Sequence, residues 1–231
     1  MKKITTLLLD ADNTLLDFNK DEHQALVKAL EHYGVPVTKE NTDIYSKINQ
    51  GMWKQLERGE ITKPELKRTR FKIFFEAIGF QCDEDPLVVN EHYLGLLGEG
   101  GNTLEGAVET VKSLSEAGIK LYIVTNGVAA TQAKRLNKSG LLPYIQEVFV
   151  SETIGYQKPR KEYFDHVLDK IEEKDKEKLL LVGDSLTSDI KGAMNAEIPC
   201  CWLNLFDEKM PEEYTAQWEI KKIRELLDIV L

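Results

Sequence analysis

The sequence predicts an α/β protein, a doubly wound parallel sheet with an all-helical domain inserted after the first strand. From residue 119 onward, short apolar segments without polar alternation, typical of strands buried on both faces, alternate with amphipathic helical segments. Between the first and second strands lies a long stretch with helical periodicity only, too long for a crossover connection. We therefore predict a core of residues 1–17 and 102–231 and a helical cap domain of residues 18–101.

The core elements are predicted from these apolar segments and from the turns between them. Gly118 and Gly140 each follow a helical segment, where glycine readily adopts the left-handed conformation that ends a helix. The strands are expected at Ile4–Leu9, Ile119–Thr125, Glu147–Ser151, Leu179–Gly183 and Pro199–Leu203. The helices are expected at Leu104–Ala117, Ala129–Ser139, Lys161–Ile171 and Thr187–Ala196, with a closing amphipathic helix at Trp218–Leu231.

The inserted stretch is predicted to contain four helices. Thr62 and Glu65 form a capping box at the start of the third helix, and Gly79 ends it. Asp85-Pro86 is a typical start for the fourth helix, which ends in the glycines at positions 98, 100 and 101. The first two helices are expected at Glu22–Tyr33 and Asp43–Arg58.

Composition narrows the range of functions. The chain has 231 residues, with 30 Lys and Arg against 39 Asp and Glu, so its formal net charge is −9. An acidic surface repels nucleic-acid polymers and anionic membranes, so we expect neither as a partner. Three cysteines, Cys82, Cys200 and Cys201, are expected to be reduced and packed. With no membrane span or signal peptide recognised, we expect a cytoplasmic monomer or homodimer.

The segment after the first strand carries two carboxylates, Asp10 and Asp12. Ligands of open parallel sheets bind beyond the carboxyl ends of the strands, where these residues lie. Two carboxylates so close together repel each other unless a cation lies between them, which points to Mg²⁺. One carboxylate can attack phosphorus and the other can act as a general acid and base. Alternatively, Asp12 merely caps a solvated turn.

Other strand ends supply matching polar groups. The second strand ends at Thr125, Asn126 and Gly127, whose hydroxyl and backbone N–H groups suit phosphoryl oxygens. The fourth ends at Asp184, with Asp189 five residues later, and Lys158-Pro159 lies between these two strands. Each group alone has a simple structural explanation as a helix cap or a surface charge. Together, at the same edge of one sheet, they favour a catalytic site.

This ordered set resembles the haloacid-dehalogenase (HAD) superfamily, specifically its phosphohydrolases with a helical cap inserted after the first strand. The matching motifs are Asp10-x-Asp12-x-Thr14, Thr125, Lys158-Pro159 and Gly183-Asp184-x4-Asp189. The resemblance implies a HAD-like Rossmannoid core in which Asp10 is the nucleophile and Asp12 the acid and base. It further implies that Thr125 binds the phosphoryl group, that Lys158 neutralises charge, and that Asp184 completes the Mg²⁺ site.

The same resemblance implies that Asp12 gives its backbone carbonyl to the metal and that Asp189 acts from behind the direct ligands. Dehalogenases of the superfamily lack an acid two residues after the nucleophile, because a halide leaves without a proton. The presence of Asp12 therefore favours phosphate ester hydrolysis, in which a departing alkoxide needs that proton.

A closer resemblance is to the house-cleaning pyrimidine 5'-nucleotidases of the superfamily. It rests on Asp10-Ala11-Asp12-x-Thr14-Leu15, on the cap stretch Trp53…Gly59-x-Ile61-Thr62…Arg70-Phe71, and on Cys201-Trp202-Leu203-Asn204. It implies a small phosphomonoester substrate, a nucleoside 5'-monophosphate with a pyrimidine or non-standard base. One departure is the absence of a proline near Thr103, where members of this group often carry one.

A flat base suits an aromatic platform with a few polar partners. Candidates for this role are Phe18, Asn49, Trp53 and Arg70. Aromatic residues at helical spacing also pack in a domain core, so both interpretations stay open. Two other functions are considered: a sugar-phosphate phosphatase or phosphomutase of the same superfamily, and a receiver-like phosphoacceptor switch. A binding module without catalysis is disfavoured by the intact polar set.

Overall fold

The computed structural model describes residues 3–231, which divide into two compact units. The sheet unit combines the chain up to Phe18 with Gly101–Leu231, and the helical unit is Asn19–Gly100. The assignment of catalytic and cap roles to two domains stays a prediction. Within the described range, every helix falls short of the length and apolarity needed to cross a bilayer.

The strands confirm the predicted α/β architecture. They are β1 (Thr6–Leu9), β2 (Lys120–Thr125), β3 (Glu147–Val150), β4 (Leu179–Gly183), β5 (Cys200–Leu203) and β6 (Trp218–Ile220). Among the described residues these form one sheet in the order β3-β2-β1-β4-β5-β6, and every pairing is parallel.

The helices occupy the segments between the strands and the insertion. They are α1 (Phe18–His32), α2 (Lys39–Glu57), α3 (Lys63–Ile78), α4 (Pro86–Leu97), α5 (Ala107–Glu116), α6 (Ala129–Ser139), α7 (Ser151–Ile154), α8 (Lys161–Lys170), α9 (Lys191–Ala196) and α10 (Leu226–Val230). Short 3-10 turns lie at Leu142–Tyr144, Lys176–Lys178 and Ile223–Glu225, and a π-helical turn at Leu186–Ile190.

Successive strand residues pack on opposite faces of the sheet, as strand geometry requires. Leu7 and Leu9 of β1 join a cluster with residues of α5 and α10, whereas Leu8 joins a cluster with residues of α8 and α9. Both faces are therefore covered by apolar side chains, which explains why the strand sequences lack polar alternation.

The sheet has one topological switch point, between the adjacent strands β1 and β4. The chain runs outward from β1 to β2 and β3, and from β4 to β5 and β6 in the other direction. A crevice at such a point is the usual ligand site of an open parallel sheet. The polar ends of β1, β2 and β4 meet there.

The prediction of one closing helix at Trp218–Leu231 is wrong. Trp218–Ile220 is instead the edge strand β6, and regular helix begins only at Leu226. Ile220 O accepts a hydrogen bond from the N–H of Asn204 at 2.8 Å, which ties the segment to the end of β5. This long-range pairing outweighs the local helical pattern.

The helical unit contains the four predicted helices, with small differences at their ends. The capping box predicted at the start of α3 is confirmed, since the hydroxyl of Thr62 accepts from the N–H of Glu65 and Glu65 Oε2 accepts from the N–H of Thr62. Gly79 ends α3 with φ of 64°. Asp85 caps α4 by accepting a hydrogen bond from the N–H of Leu87 at 2.8 Å.

Candidate active site

A tight turn after β1 places the Asp10 carboxylate at the carboxyl end of the sheet. The N–H of Asp10 donates to Val182 O at 2.9 Å, which extends the ladder between β1 and β4. Ala11 O accepts a hydrogen bond from the N–H of Leu16 at 2.8 Å and closes the turn. The turn returns Thr14 to β1, where its hydroxyl donates to Asp10 Oδ2 at 3.2 Å. Asp10 is therefore buried and fixed beside the switch point.

Lys158 is buried between two carboxylates. Its Nζ donates to Asp10 Oδ1 and to Asp189 Oδ1, each at 2.6 Å. The third hydrogen goes to Val124 O of β2 at 2.9 Å, so all three donors of the ammonium group are used. Burial alone would lower the pKa of Lys158, but Asp10 and Asp189 outweigh it and raise this pKa above its usual range. Lys158 is a fixed positive charge.

The backbone at Lys158 is held by Asn126. Asn126 Oδ1 accepts from the N–H of Lys158 and Asn126 Nδ2 donates to Lys158 O, both at 2.9 Å. This two-way pairing joins the end of β2 to the segment before α8. Asn126 therefore positions the lysine, besides its predicted role at the phosphate.

Three carboxylates converge beside Lys158. One oxygen from each of Asp10, Asp184 and Asp189 lies within 4.8 Å of the others. Burial and the neighbouring Asp189 raise the pKa of Asp10 to about 8, although Lys158 opposes the shift. Burial, Asp10 and Asp189 raise the pKa of Asp184 well above its usual value. A single lysine does not neutralise this cluster.

The donor set fits Mg²⁺, a hard cation that prefers carboxylate oxygens. The two oxygens of Asp189 already accept hydrogen bonds from Lys158 Nζ and from the N–H of Ser185 at 3.1 Å. Among the described residues, none donates a hydrogen bond to the Asp184 carboxylate. Asp10 and Asp184 would therefore hold the ion directly and Asp189 would support it. A Cβ at Gly183 would overlap the Asp189 carboxylate, so this residue must be glycine for Asp189 to reach the cluster.

At the end of β2, the Thr125 hydroxyl is prepared to donate a hydrogen bond. Thr125 Oγ1 accepts from the N–H of Gly127 at 3.0 Å and from Gln132 Nε2 at 3.0 Å. With its acceptor positions occupied, the hydroxyl has its own hydrogen left to donate. A hydroxyl in this state suits a phosphoryl oxygen.

Sequence reasoning missed two residues that hold Asp12. Gln132 Nε2 donates to Asp12 Oδ2 at 2.7 Å, and Arg135 Nη1 donates to Asp12 Oδ1. Both lie on the inner face of α6 and are buried, although one is polar and the other charged. A buried arginine three residues after a buried glutamine, on an otherwise apolar face, is the signal that could have revealed them.

The candidates predicted in the helical unit lie in or near its interior. Asn49 and Arg70 are buried, and Arg70 Nη1 donates to Asn49 Oδ1 at 2.8 Å. Asn49 Nδ2 in turn donates to Glu22 Oε1 at 2.5 Å. Trp53 is half-buried against a cluster that includes Leu56. These contacts account for the burial of the three candidates, and their contact with a substrate stays a prediction.

Phe18 belongs to the sheet unit. Its ring lies 5.5 Å from the Arg135 guanidinium carbon, in a cation–π arrangement. Its predicted contact with the leaving group stays a prediction, and its observed partner is the arginine that holds Asp12.

Comparison with protein families decides the relationship. The family model for haloacid dehalogenase-like hydrolases matches residues 4–197. The chain belongs to this HAD family of hydrolases. It is a phosphoric monoester hydrolase, as the full-length relatives indicate, and this excludes the receiver-like switch considered above.

Several relatives cover the HAD chain almost entirely. It is 40% identical over 230 residues to YfnB of Bacillus subtilis (strain 168), named as a candidate HAD-hydrolase, covering 100% of this chain and 97% of YfnB. It is 39% identical to the pyrimidine 5'-nucleotidase PynA of Streptococcus pneumoniae, covering 96% of this chain and 93% of PynA. Identity to the pyrimidine 5'-nucleotidase YjjG of Escherichia coli is 32%, covering 95% of each chain.

A solved structure extends the comparison. The crystal structure of YfnB bound to magnesium matches this HAD protein with a TM-score of 0.94 over 99% of each chain. A 2-haloacid dehalogenase from Pseudomonas syringae, 21% identical, has a TM-score of 0.67 over 98% of each chain and shares the fold.

Proposed function

We propose that this HAD phosphatase hydrolyses nucleoside 5'-monophosphates, with Mg²⁺ as cofactor and an aspartyl-phosphate intermediate. One observation carries the proposal: the Asp10 carboxylate is fixed by Lys158 and Thr14 at the switch point, within 4.8 Å of oxygens of Asp184 and Asp189. A buried carboxylate beside a fixed cation and a hydroxyl donor is suited to attack a phosphoryl group.

The first step transfers the phosphoryl group to Asp10. A carboxylate oxygen of Asp10 forms a bond to phosphorus while the bond from phosphorus to the ester oxygen breaks. Asp12 donates its proton to the departing alkoxide oxygen. The Thr125 hydroxyl and Lys158 contribute donors and charge to the transferred group. When bound, Mg²⁺ neutralises the phosphoryl oxygens and the paired carboxylates.

The second step frees Asp10. Water attacks phosphorus and gives its proton to the Asp12 carboxylate. The bond between phosphorus and Asp10 breaks, which restores the Asp10 carboxylate and releases inorganic phosphate. Asp12 then carries the proton for the next turnover, so atoms and charges balance over the cycle.

The nucleotide substrate is supported by relatives rather than by the chemistry of the site. PynA and YjjG, named as pyrimidine 5'-nucleotidases, match this chain over nearly their whole lengths. More distant relatives include a glyceraldehyde 3-phosphate phosphatase of Methanopyrus kandleri, 27% identical. We therefore place pyrimidine and non-standard nucleoside 5'-monophosphates ahead of sugar phosphates.

The proposal is tested by Mg²⁺-dependent phosphate release across nucleoside 5'-monophosphates and sugar phosphates, ranked by kcat/KM. We expect pyrimidine nucleotides to rank highest and Asp10→Asn to be inactive with every substrate. Asp83→Asn, the same substitution on the surface of the helical unit, is the matched control and retains full activity. Preference for a sugar phosphate, or a requirement for a bisphosphate activator, would overturn the nucleotidase assignment.

A further inference from the structure

The inner face of α6 holds both oxygens of Asp12. Gln132 donates to Oδ2 and Arg135 to Oδ1, and neither residue belongs to the four motifs that mark the site in the sequence. We propose that Gln132 and Arg135 are positioning residues that fix the Asp12 carboxyl group for proton transfer to the leaving oxygen. This inference rests on the proposed function, because it assigns the source of Asp12's orientation in that reaction.

The orientation of the Gln132 amide follows from its partners. Gln132 Oε1 accepts from Arg135 Nη1 at 3.0 Å, while Gln132 Nε2 donates to Asp12 and to Thr125 Oγ1. Turning the amide over would direct hydrogens at the guanidinium and an oxygen at the carboxylate. The amide is therefore locked, and it links the acid and base to the phosphate-binding hydroxyl.

Gly127 allows the Gln132 side chain to lie in this position. A Cβ built on Gly127 would fall 2.5 Å from Gln132 Cγ and from Gln132 Nε2. The Cα of Gly127 thus forms one wall of the space that Gln132 occupies. The turn after β2 is shaped to admit Gln132 as well as a phosphate.

Arg135 is fixed independently of Asp12. Its side chain is 1% exposed, and its guanidinium stacks on the Phe18 ring. Its backbone carbonyl is close to Gly101, where an added Cβ would approach this oxygen to 2.9 Å. Two separate segments of the sheet unit therefore enclose the residue. A buried arginine with these constraints presents its donor in one place.

Fixing Asp12 matters for its chemistry because the side chain is otherwise mobile. It is 28% exposed, so the surrounding packing does not determine its rotamer. One donor on each oxygen sets the plane of the carboxyl group and leaves the remaining lone pairs for the travelling proton. Loss of either donor lets the group rotate away from the line between it and the leaving oxygen.

The test compares two leaving groups. An alkoxide from a nucleoside 5'-monophosphate needs the Asp12 proton, whereas p-nitrophenolate leaves without one. Since kcat/KM covers the steps up to release of the leaving group, its ratio for the two substrates isolates the acid role. The ratio also cancels the fraction of folded enzyme, so an unstable variant still gives an answer.

We expect Arg135→Met and Gln132→Met each to lower the nucleotide to p-nitrophenyl phosphate ratio by about 10- to 100-fold, part of the ~10²–10⁴ that a general acid contributes. Arg135→Lys should recover part of the ratio, because its ammonium group still donates to Asp12. Lys134→Met, which removes an exposed cation from the same helix, should leave the ratio unchanged.

An equal loss of kcat/KM for both substrates in the Arg135 and Gln132 variants would overturn the inference, as would a ratio that shifts with Lys134→Met. Failure of the proposed function looks different. In that case the wild-type protein hydrolyses neither substrate, or Asp10→Asn remains active.

Discussion

The acidic cluster leads to a measurable dependence of stability on pH in metal-free protein. Unfolded Asp10 has a pKa near 3.8, and in the folded protein burial and Asp189 raise it to about 8. For a carboxyl group shifted upward, the folded state binds the proton more tightly than the unfolded state. The free energy of unfolding contributed by this group is therefore highest below pH 3.8 and falls as the pH rises toward 8.

The size of the effect follows from the shift. Each pH unit above 3.8 costs about 1.4 kcal/mol, so by pH 7 the loss reaches roughly 4 kcal/mol. Asp10→Asn removes the ionisable group but keeps a side chain of similar shape beside Lys158. In a protein of this size, 1 kcal/mol corresponds to about 2–4 °C in Tm. We expect Asp10→Asn to melt on the order of 10 °C above wild type at pH 7 in EDTA, with little difference near pH 4.

The assay is thermal or urea unfolding from pH 4 to 8.5 in EDTA, with Asp83→Asn as the control that should follow wild type. Adding Mg²⁺ should raise the Tm of wild type more at pH 8 than at pH 5, because the ion binds ionised Asp10. Parallel pH curves for wild type and Asp10→Asn would refute the reasoning, since the cluster would then impose no proton-linked cost.

Two further predictions concern buried groups elsewhere. Burial raises the pKa of Cys200 to about 11 and of Cys201 to about 12, so at pH 8 iodoacetamide should label only the half-buried Cys82 in native protein; rapid labelling of either buried thiol, read by peptide mass spectrometry, would contradict this. Arg70→Met should lower the free energy of unfolding by about 3–5 kcal/mol, because it leaves the amide oxygens of Asn49 and Asn90 without their buried charged donor. Urea denaturation measures it, and a change below about 1 kcal/mol would show that this network does not stabilise the helical unit.

The parallel sheet was predictable because its strands are dense apolar segments between recognisable turns. Leu179–Gly183 matches its predicted bounds, and so does the helix Ala129–Ser139. The edge strand Trp218–Ile220 was not predictable in the same way. It has three residues, and its conformation depends on pairing with a strand that lies 15 or more residues earlier in the chain.

The site divides along a similar line. Asp10, Lys158 and Asp184 were identifiable because each follows a strand end or a proline-marked turn, and strand ends of a parallel sheet meet at one edge. Gln132 and Arg135 were not, because their role depends on which face of α6 turns inward and on the position of Asp12 across more than 100 residues of sequence. Periodicity places them on the inner face but does not name the carboxylate that they meet.

The central claim is that Asp10 accepts the phosphoryl group. The most direct measurement is mass spectrometry of acid-quenched Asp12→Asn protein after reaction with p-nitrophenyl phosphate and Mg²⁺. This variant lacks the base that would activate water, and the nitrophenolate leaves without an acid. We predict about one nitrophenolate released per protein in an initial burst, with the phosphate retained on residue 10. Phosphate bound to another residue, or hydrolysis without any phosphorylated protein, would contradict the account.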